Sequence, residues 1–279
     1  MQIIENIHEM QKQMTKQKTQ SKSIGFVPTM GYLHEGHLNL IRKSKSENDV
    51  TVISIFVNPL QFGPNEDLET YPRDFDRDYK LALNEGVDYV FYPSVNEMYP
   101  TEPSVLVKVQ DRTEVLCGRS RAGHFDGVAT VLVKLFNIVS PHKAYFGLKD
   151  AQQVAVVDGL IHDFNFPIEL IPVETIREND GLAKSSRNIR LTDQERQEAP
   201  HLYKGLQLAK ERFENGERNT EQIIAYINEY IQKHTSAVID YIEIYSYPQL
   251  KPIDHLDGKI IIALAVKFSD VRLIDNIIF

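Results

Sequence analysis

The chain predicts an α/β protein, a parallel-sheet domain followed by a smaller α+β domain. From Ile24 to Val173, short apolar runs alternate with helical patterns, as parallel strands joined by crossover helices require. After that point the order changes to two helical patterns followed by three strand-like runs, which describes an α+β unit. At 279 residues the chain exceeds the common single-domain size, and 42% hydrophobic with 25% charged residues permits a sizeable core. No repeat, low-complexity tract or long Gly/Ser linker interrupts it. The predicted boundary between a domain of residues 1–175 and one of residues 176–279 is a short hinge near Val173 to Ile176.

Each element has its own signal. Ile24 to Val27 reads as a buried strand, followed by a helix with Leu38 and Ile41 on one face. Val50 to Val57 is rich in β-branched residues and ends at Asn58-Pro59. From Pro72 a helix is expected with Phe75, Tyr79 and Ala82 at helical spacing, ahead of a strand at Val87 to Phe91. Asp126 is expected to cap a helix aligning Val131, Leu135 and Val139. Strands follow at Lys143 to Phe146 and Ile168 to Val173. Thr192 and Glu195 form a capping box for one helix with Leu202, Leu206, Ala209 and Phe213 on its buried face, ended near Gly216. Thr220 starts a second helix with Ile223, Ile224, Ile227 and Ile231, and the last strands are Val238 to Tyr245, Lys259 to Val266 and Val271 to Ile274.

Composition excludes several classes of function. A net charge of −8 argues against a nucleic-acid surface, because phosphate neutralisation supplies most non-specific affinity. The single cysteine, Cys117, cannot form an intramolecular disulfide and fits a reducing compartment; nothing marks it as a nucleophile. Met1 to Asn6 lacks a basic region followed by an apolar stretch, and no apolar run approaches the roughly 20 residues that span a bilayer. The expectation is a cytoplasmic protein with no membrane partner.

The run Phe26-Val27-Pro28-Thr29-Met30-Gly31-Tyr32-Leu33-His34-Glu35-Gly36-His37 leads from a strand, through a small-residue turn, to two histidines at a helix start. Histidines at i and i+3 share one helix face, where both imidazoles can reach one bound group. Glycine lets the backbone approach that group, and a helix N-terminus offers N–H groups and a positive dipole end to phosphate. This points to catalysis on a nucleotide phosphate by hydrogen-bond donors, without a covalent nucleophile. Surface histidines or a capping pair would produce the same letters. Zinc fits less well, because the zincin spacing is i and i+4 and no cysteine lies nearby.

A second cluster, Asp180-Gly181-Leu182-Ala183-Lys184-Ser185-Ser186-Arg187-Asn188, supplies two positive charges and two hydroxyls. Alone it reads equally as a solvated surface turn. After a His-Glu-Gly-His turn it resembles the paired signatures of the class I aminoacyl-tRNA synthetase and nucleotidyltransferase superfamily, in which the first motif and a mobile basic loop close on ATP from two sides. Two more segments follow predicted strands, where ligands of α/β sheets sit. Phe56 to Gly63 carries Asn58 and Gln61, amides that suit a substrate bearing hydroxyls and a carboxylate. Tyr145 to Gln153 carries Gly147, Lys149 and the pair Gln152-Gln153. Either alone is equally an ordinary strand-to-helix loop.

Together these segments resemble the pantothenate synthetase (pantoate–β-alanine ligase) family. The Pro-Thr-Met-Gly turn with His-Glu-Gly-His, the Asn-Pro-x-Gln-Phe-Gly loop, Tyr71-Pro72-Arg73, the Phe-Gly-x-Lys-Asp-x-Gln-Gln segment, the Ser-Ser-Arg-Asn loop and Leu273-Ile274-Asp275-Asn276 occur in family order, nearly end to end. The resemblance implies a Rossmann-like first domain and a homodimer. It implies that (R)-pantoate attacks the α-phosphorus of ATP, and that β-alanine then attacks the pantoyl adenylate to give pantothenate and AMP. By position, His34, His37, Lys149 and Arg187 are the candidate catalytic residues. Met30, Gly31, Tyr32, Leu33, Glu35, Gly36, Gly147, Leu148, Asp150, Ile176, Lys184, Ser185 and Ser186 join them in binding ATP. Gln61 and Gln153 are the expected pantoate clamp, with Gln61 also near β-alanine. Lys184 stands where many members carry Met or another apolar residue. The family's adjacent acids are replaced by Asp76-Arg77-Asp78, so the expected Mg²⁺ is one bound mainly through ATP phosphates. Two other readings use the same residues: a nucleotidyltransferase acting on a phosphorylated substrate, which would need a basic pocket for the second phosphate, and a non-catalytic adenylate-binding protein, which would be expected to lack half the site.

Overall fold

The computed structural model of the protein describes residues 1–279 except Asn65, Asp67 and Asp254. They cluster into two compact units. The first comprises Met1–Gln110, Arg121–Gly147 and Val156–Val173; the second comprises Asp111–Ser120, Leu148–Ala155 and Glu174–Phe279. The second unit thus draws on two segments well upstream of the predicted hinge.

The elements in chain order are β1 (Gln2–Ile4), α1 (Ile7–Thr19), β2 (Ile24–Thr29), α2 (Glu35–Glu47), β3 (Val50–Ile55), α3 (Phe75–Asn84), β4 (Tyr89–Phe91), α4 (Val95–Met98), α5 (Leu116–Ser120) and α6 (His124–Val139). They continue with β5 (Lys143–Gly147), α7 (Ala151–Asp163), β6 (Glu169–Val173), α8 (Asp193–Glu198), α9 (His201–Glu214), α10 (Thr220–His234), β7 (Val238–Ser246), β8 (Ile260–Lys267) and β9 (Arg272–Ile278). The sheet of the first unit is parallel, in the order β1-β4-β3-β2-β5-β6. Its central strands β2 and β3 are buried almost throughout, as in a sheet covered on both faces. Val27, Leu33, Leu38, Ile41, Ile53 and Val90 form one core cluster of this unit.

One detail of register positions the site. β2 pairs with β3 over its whole length, Ile24↔Val50 to Thr29↔Ile55, but with β5 only at Gly25↔Lys143 and Phe26↔Ala144. Beyond Phe26 the carboxyl halves of β2 and β5 part. This is also where strand order reverses, the place where α/β sheets bind ligands.

In the second unit, β7-β8-β9 form an antiparallel sheet. The period of two sends Ile260, Ile262, Leu264 and Val266 into one core with α9 and α10 residues, and Ile261 and Ala263 into another with Leu116, Ala151 and Ala155.

Several expectations need correction. The helix expected to start from Asp126 begins at His124, because Gly123 takes a left-handed φ of 77° and turns the chain earlier. Asp126 instead accepts the N–H of Val109 at 2.8 Å. The helix expected from Thr192 to Gly216 is two helices, α8 and α9, divided at Ala199-Pro200. Pro200 has no N–H to continue a ladder but is tolerated at a helix start. β1 and α1 carried no expectation. On α1 only Met10, Met14 and Gln17 are buried, a stripe obscured by the surrounding Lys and Gln.

Candidate active site

The turn after β2 is built around a buried carboxylate. Asp78 on α3, 1% exposed, accepts the N–H of Tyr32 at 2.6 Å and of Leu33 at 2.7 Å. Burial raises its pKa above the ordinary value, against the effect of those two N–H groups. Gly31 has φ of +84°, and a Cβ there would lie 3.0 Å from Asp78 Oδ2, so glycine is needed both for the turn and for the close approach. Thr29 Oγ1 accepts the N–H of Gly31 at 3.1 Å.

The histidines then cap α2. His34 is the N-cap, in extended backbone; its Nδ1 accepts the N–H of Gly36 at 3.1 Å, and His37 Nδ1 accepts the N–H of His34 at 3.3 Å. The capping pair that sequence alone left open is therefore real, and it also fixes where the ring protons sit. An Nδ1 that accepts carries no proton, so each neutral ring holds its N–H at Nε2. The ring centroids are 4.0 Å apart and the planes tilted by 31°, so the two rings sit together at a helix N-terminus.

Gln61 is brought to the same turn, where its Nε2 donates to Met30 Sδ at 3.0 Å. It ends a 3-10 turn, Pro59–Gln61, that Asn58 holds almost without exposure. Asn58 Nδ2 donates to Gly127 O at 3.1 Å and to Gln61 Oε1 at 3.2 Å, while its Oδ1 accepts the Tyr99 hydroxyl at 2.9 Å. Asn58, read from sequence as an amide for substrate, is thus committed to the loop. Gly127 lets α6 approach, since a Cβ there would lie 2.1 Å from Leu60 O. Sequence reasoning also missed His124, whose Nδ1 is 2.8 Å from Gln61 O, and Arg121, which is 2.9 Å from His124 Nε2 and pairs with Glu66 through two bonds of 2.7 and 2.5 Å. That pairing holds the Glu66 carboxyl below its usual range. A cavity of about 520 Å³ in this unit is lined by Met30, Gly31, Phe56, Arg73 and Asp78 among others.

The remaining expected residues, apart from Gly147 at the end of β5, belong to the second unit. Leu148, Lys149 and Asp150 form a 3-10 turn in which Lys149 Nζ lies 3.8 Å from Asp150 Oδ2. Asn276 Nδ2 donates to the carbonyls of Leu148 and Lys149 at 2.9 and 3.0 Å. Gln152 is used up on backbone: its Nε2 donates to Arg112 O and Val115 O at 2.9 and 2.8 Å. Its half-buried neighbour Gln153 is therefore the better candidate for substrate.

The segment that resembles a mobile basic loop is a hairpin followed by a 3-10 turn. Lys184 N donates to Ile176 O at 2.9 Å, Arg177 bridges Ala183, and Leu182 and Ala183 are each only 4% exposed. Apolar burial of Leu182 outweighs the polarity of its neighbours, which had suggested a mobile loop. Lys184 Nζ pairs with Glu178 at 2.7 Å, so its charge is matched inside the hairpin. Ser185 caps the turn Ser186–Arg190 by accepting the N–H of Arg187 at 3.2 Å. At the hairpin base, Arg177 forms a two-bond ion pair with Asp275 at 2.7 and 2.9 Å and stacks 3.4 Å over the Tyr203 ring.

Among the described residues no group of three or more His, Cys, Asp or Glu could hold a metal ion, and no helix is long and apolar enough to cross a membrane.

A parallel α/β sheet with a histidine-capped helix at its switch point defines the class, and comparison supplies the family. The chain matches the profile of the Pantoate-beta-alanine ligase family over residues 2–278. It is 62% identical over 275 residues to the pantothenate synthetase of Geobacillus sp. (strain WCH70), covering 99% of this chain and 98% of the relative. It is 60% identical over 277 residues to that of Bacillus cereus (strain ATCC 10987 / NRS 248), again covering 99% and 98%. Among solved structures, pantoate-β-alanine ligase (pantothenate synthetase) from Thermus thermophilus is similar with a TM-score of 0.94 at 41% identity, covering 99% of each chain. Pantoate-β-alanine ligase from Francisella tularensis, complexed with β-γ ATP and β-alanine, has a TM-score of 0.80 at 37% identity, covering 99% of this chain and 97% of that one. The chain belongs to the pantoate–β-alanine ligase family.

Proposed function

We propose that the chain condenses (R)-pantoate with β-alanine in an ATP-dependent reaction that yields pantothenate, AMP and pyrophosphate. The observation that carries this reading is the family match over nearly the whole chain, joined to the two histidines that cap α2 at the switch point. In the first step a pantoate carboxylate oxygen attacks the α-phosphorus and pyrophosphate leaves. His34 and His37 donate to the phosphate oxygens as negative charge grows, and Lys149 and Arg187 offset the same charge, an electrostatic effect of the kind that dominates such steps. The turn Met30 to His37, with Gly147, Leu148, Asp150, Ile176, Lys184, Ser185 and Ser186, completes the nucleotide contacts. Gln61 and Gln153 hold pantoate in line, which lowers the barrier by orientation. In the second step the β-alanine amine, near Gln61, attacks the acyl carbon of pantoyl adenylate, loses a proton and displaces AMP.

Mg²⁺ bound mainly through the ATP phosphates would supply charge neutralisation. The donor set fits that arrangement, since both Asp78 oxygens already accept backbone N–H groups. The enzyme acts in this reading as a cytoplasmic homodimer, without nucleic-acid or membrane partners; the net charge of −8 supports the absence of the former.

The test is incubation of the purified chain with ATP, pantoate and β-alanine, with detection of AMP and pantothenate. Pantoate alone is expected to drive exchange of labelled pyrophosphate into ATP. Pantothenate formation without such exchange would rule out a free-standing adenylation step, and no pantothenate at all would end the ligase reading.

A further inference from the structure

We infer that Asp275 and Asn276 are a positioning pair, adjacent on β9, that places the Lys149 turn and the hairpin leading to Arg187. Neighbouring residues of a strand point to opposite faces of a sheet. Asp275 lies on the face of Leu273 and Ile277, with α9; Asn276 lies on the face of Ile278, with Leu148 and Ala151. From one side Asp275, 3% exposed, grips both terminal nitrogens of Arg177, whose backbone pairs with Ala183 directly before Lys184, Ser185 and Arg187. Its Oδ1 also accepts the N–H of Asn276 at 2.8 Å, which ties the two grips together. From the other side Asn276, 8% exposed, donates through Nδ2 to the carbonyls on both sides of the Lys149 Cα link, those of Leu148 and Lys149. A carboxylate could not make those two donations, and an amide could not match a guanidinium charge. The residue types are therefore specific to their faces.

Burying two polar side chains costs free energy unless they are hydrogen-bonded, and here the bonds that offset that cost all go to Arg177 or to backbone, groups whose position they fix. What they set is the separation of the two basic groups proposed to act on the ATP phosphates. This inference rests on that assignment of Lys149 and Arg187.

Double-mutant cycles on the full-length chain test it, read by pantoate-driven pyrophosphate exchange. Asn276→Ala is expected to lower exchange kcat about ten- to a hundredfold, the order for a misplacement of about 1 Å, with a smaller change in the KM for ATP. That loss should nearly vanish in a Lys149→Ala background and persist in an Arg187→Ala background. Asp275→Asn should show the mirror pattern, losing its effect when Arg187 is already Ala but not when Lys149 is. A merely structural role would cut the rate by the same factor in every background, in step with the folded fraction measured by circular dichroism, and would overturn the inference. If Asn276→Ala does not fold, Asn276→Ser, which keeps one donor, takes its place under the same criteria. Wild-type exchange by Lys149→Ala would instead remove Lys149 from the proposed chemistry, and this inference with it. A slow Lys149→Ala with an additive Asn276 effect would overturn the inference alone.

Discussion

In the proposed mechanism His37 serves the fold and the chemistry through different atoms of one ring. Its Nδ1 accepts the His34 N–H, and that bond leaves the proton on Nε2, the donor proposed for phosphate. His37→Ala should therefore lose two things. Exchange of pyrophosphate should slow by about a hundredfold or more, as expected for one oxyanion-type donor. Stability should fall by about 1 kcal/mol, the usual cost of a lost N-cap interaction. Exchange kinetics beside thermal melts check both, and a variant with unchanged turnover would take His37 out of the mechanism. The spacing of His34 and His37 was legible in the sequence because it is local. Asp78 could not be read as the anchor of this turn, because it lies 45 residues from Leu33 and meets it only through the packing of α3. In the sequence it stood out only as part of Asp76-Arg77-Asp78, a departure from the family's adjacent acids.

At the scale of elements, the box at the start of α8 shows how one residue joins distant segments. Glu195 accepts N–H groups from Ser269 and Thr192 and the hydroxyls of both, and these hold its pKa at about 2 rather than the ordinary 4.5. A depressed folded pKa means that the charged form is favoured by folding. The stability it contributes is complete above about 4.5 and is lost as pH falls towards about 2. Glu195→Gln should melt below the wild type near neutrality, and the gap should close as pH descends through that window. A gap independent of pH would mean that the carboxylate charge is not what secures α8 to the Ser269 loop. The capping box was legible from Thr192 and Glu195 alone. The link to Ser269, 74 residues away, was not. The single helix expected here failed at Pro200, where the apolar spacing of Leu202, Leu206 and Ala209 outweighed a missing N–H in the reading but not in the structure.

At the scale of the molecule, the chain folds as two compact units, of which the second recruits residues 111–120 and 148–155. Leu116, Ala151 and Ala155 cover Tyr245, Tyr247, Leu250, Ile261 and Ala263 on one face of the β7-β8-β9 sheet. A fragment of residues 176–279, cut at the boundary the sequence suggests, would keep the core between that sheet and α9 and α10 but expose the other face. It should bind a hydrophobic dye and melt at lower temperature than the same fragment supplied with those two segments as peptides. Equal melting with and without them would show that the C-terminal stretch is self-sufficient.

The sequence by itself determined the class of fold, the order of its strands from β2 onward, both basic and histidine motifs and the family, because periodicity, caps and motifs are encoded within short windows. Only the tertiary structure decided which of the candidate polar residues are committed to backbone. Asn58 and Gln152 had the letters of substrate ligands, yet their amides are spent on carbonyls and caps. Asp78, Asp275 and Asn276 carried no such weight in the sequence, yet each anchors a turn that bears candidate catalytic residues. The physical reason is that a hydrogen bond is satisfied by whatever group packing brings within about 3 Å. For these residues that group lies dozens of positions away along the chain.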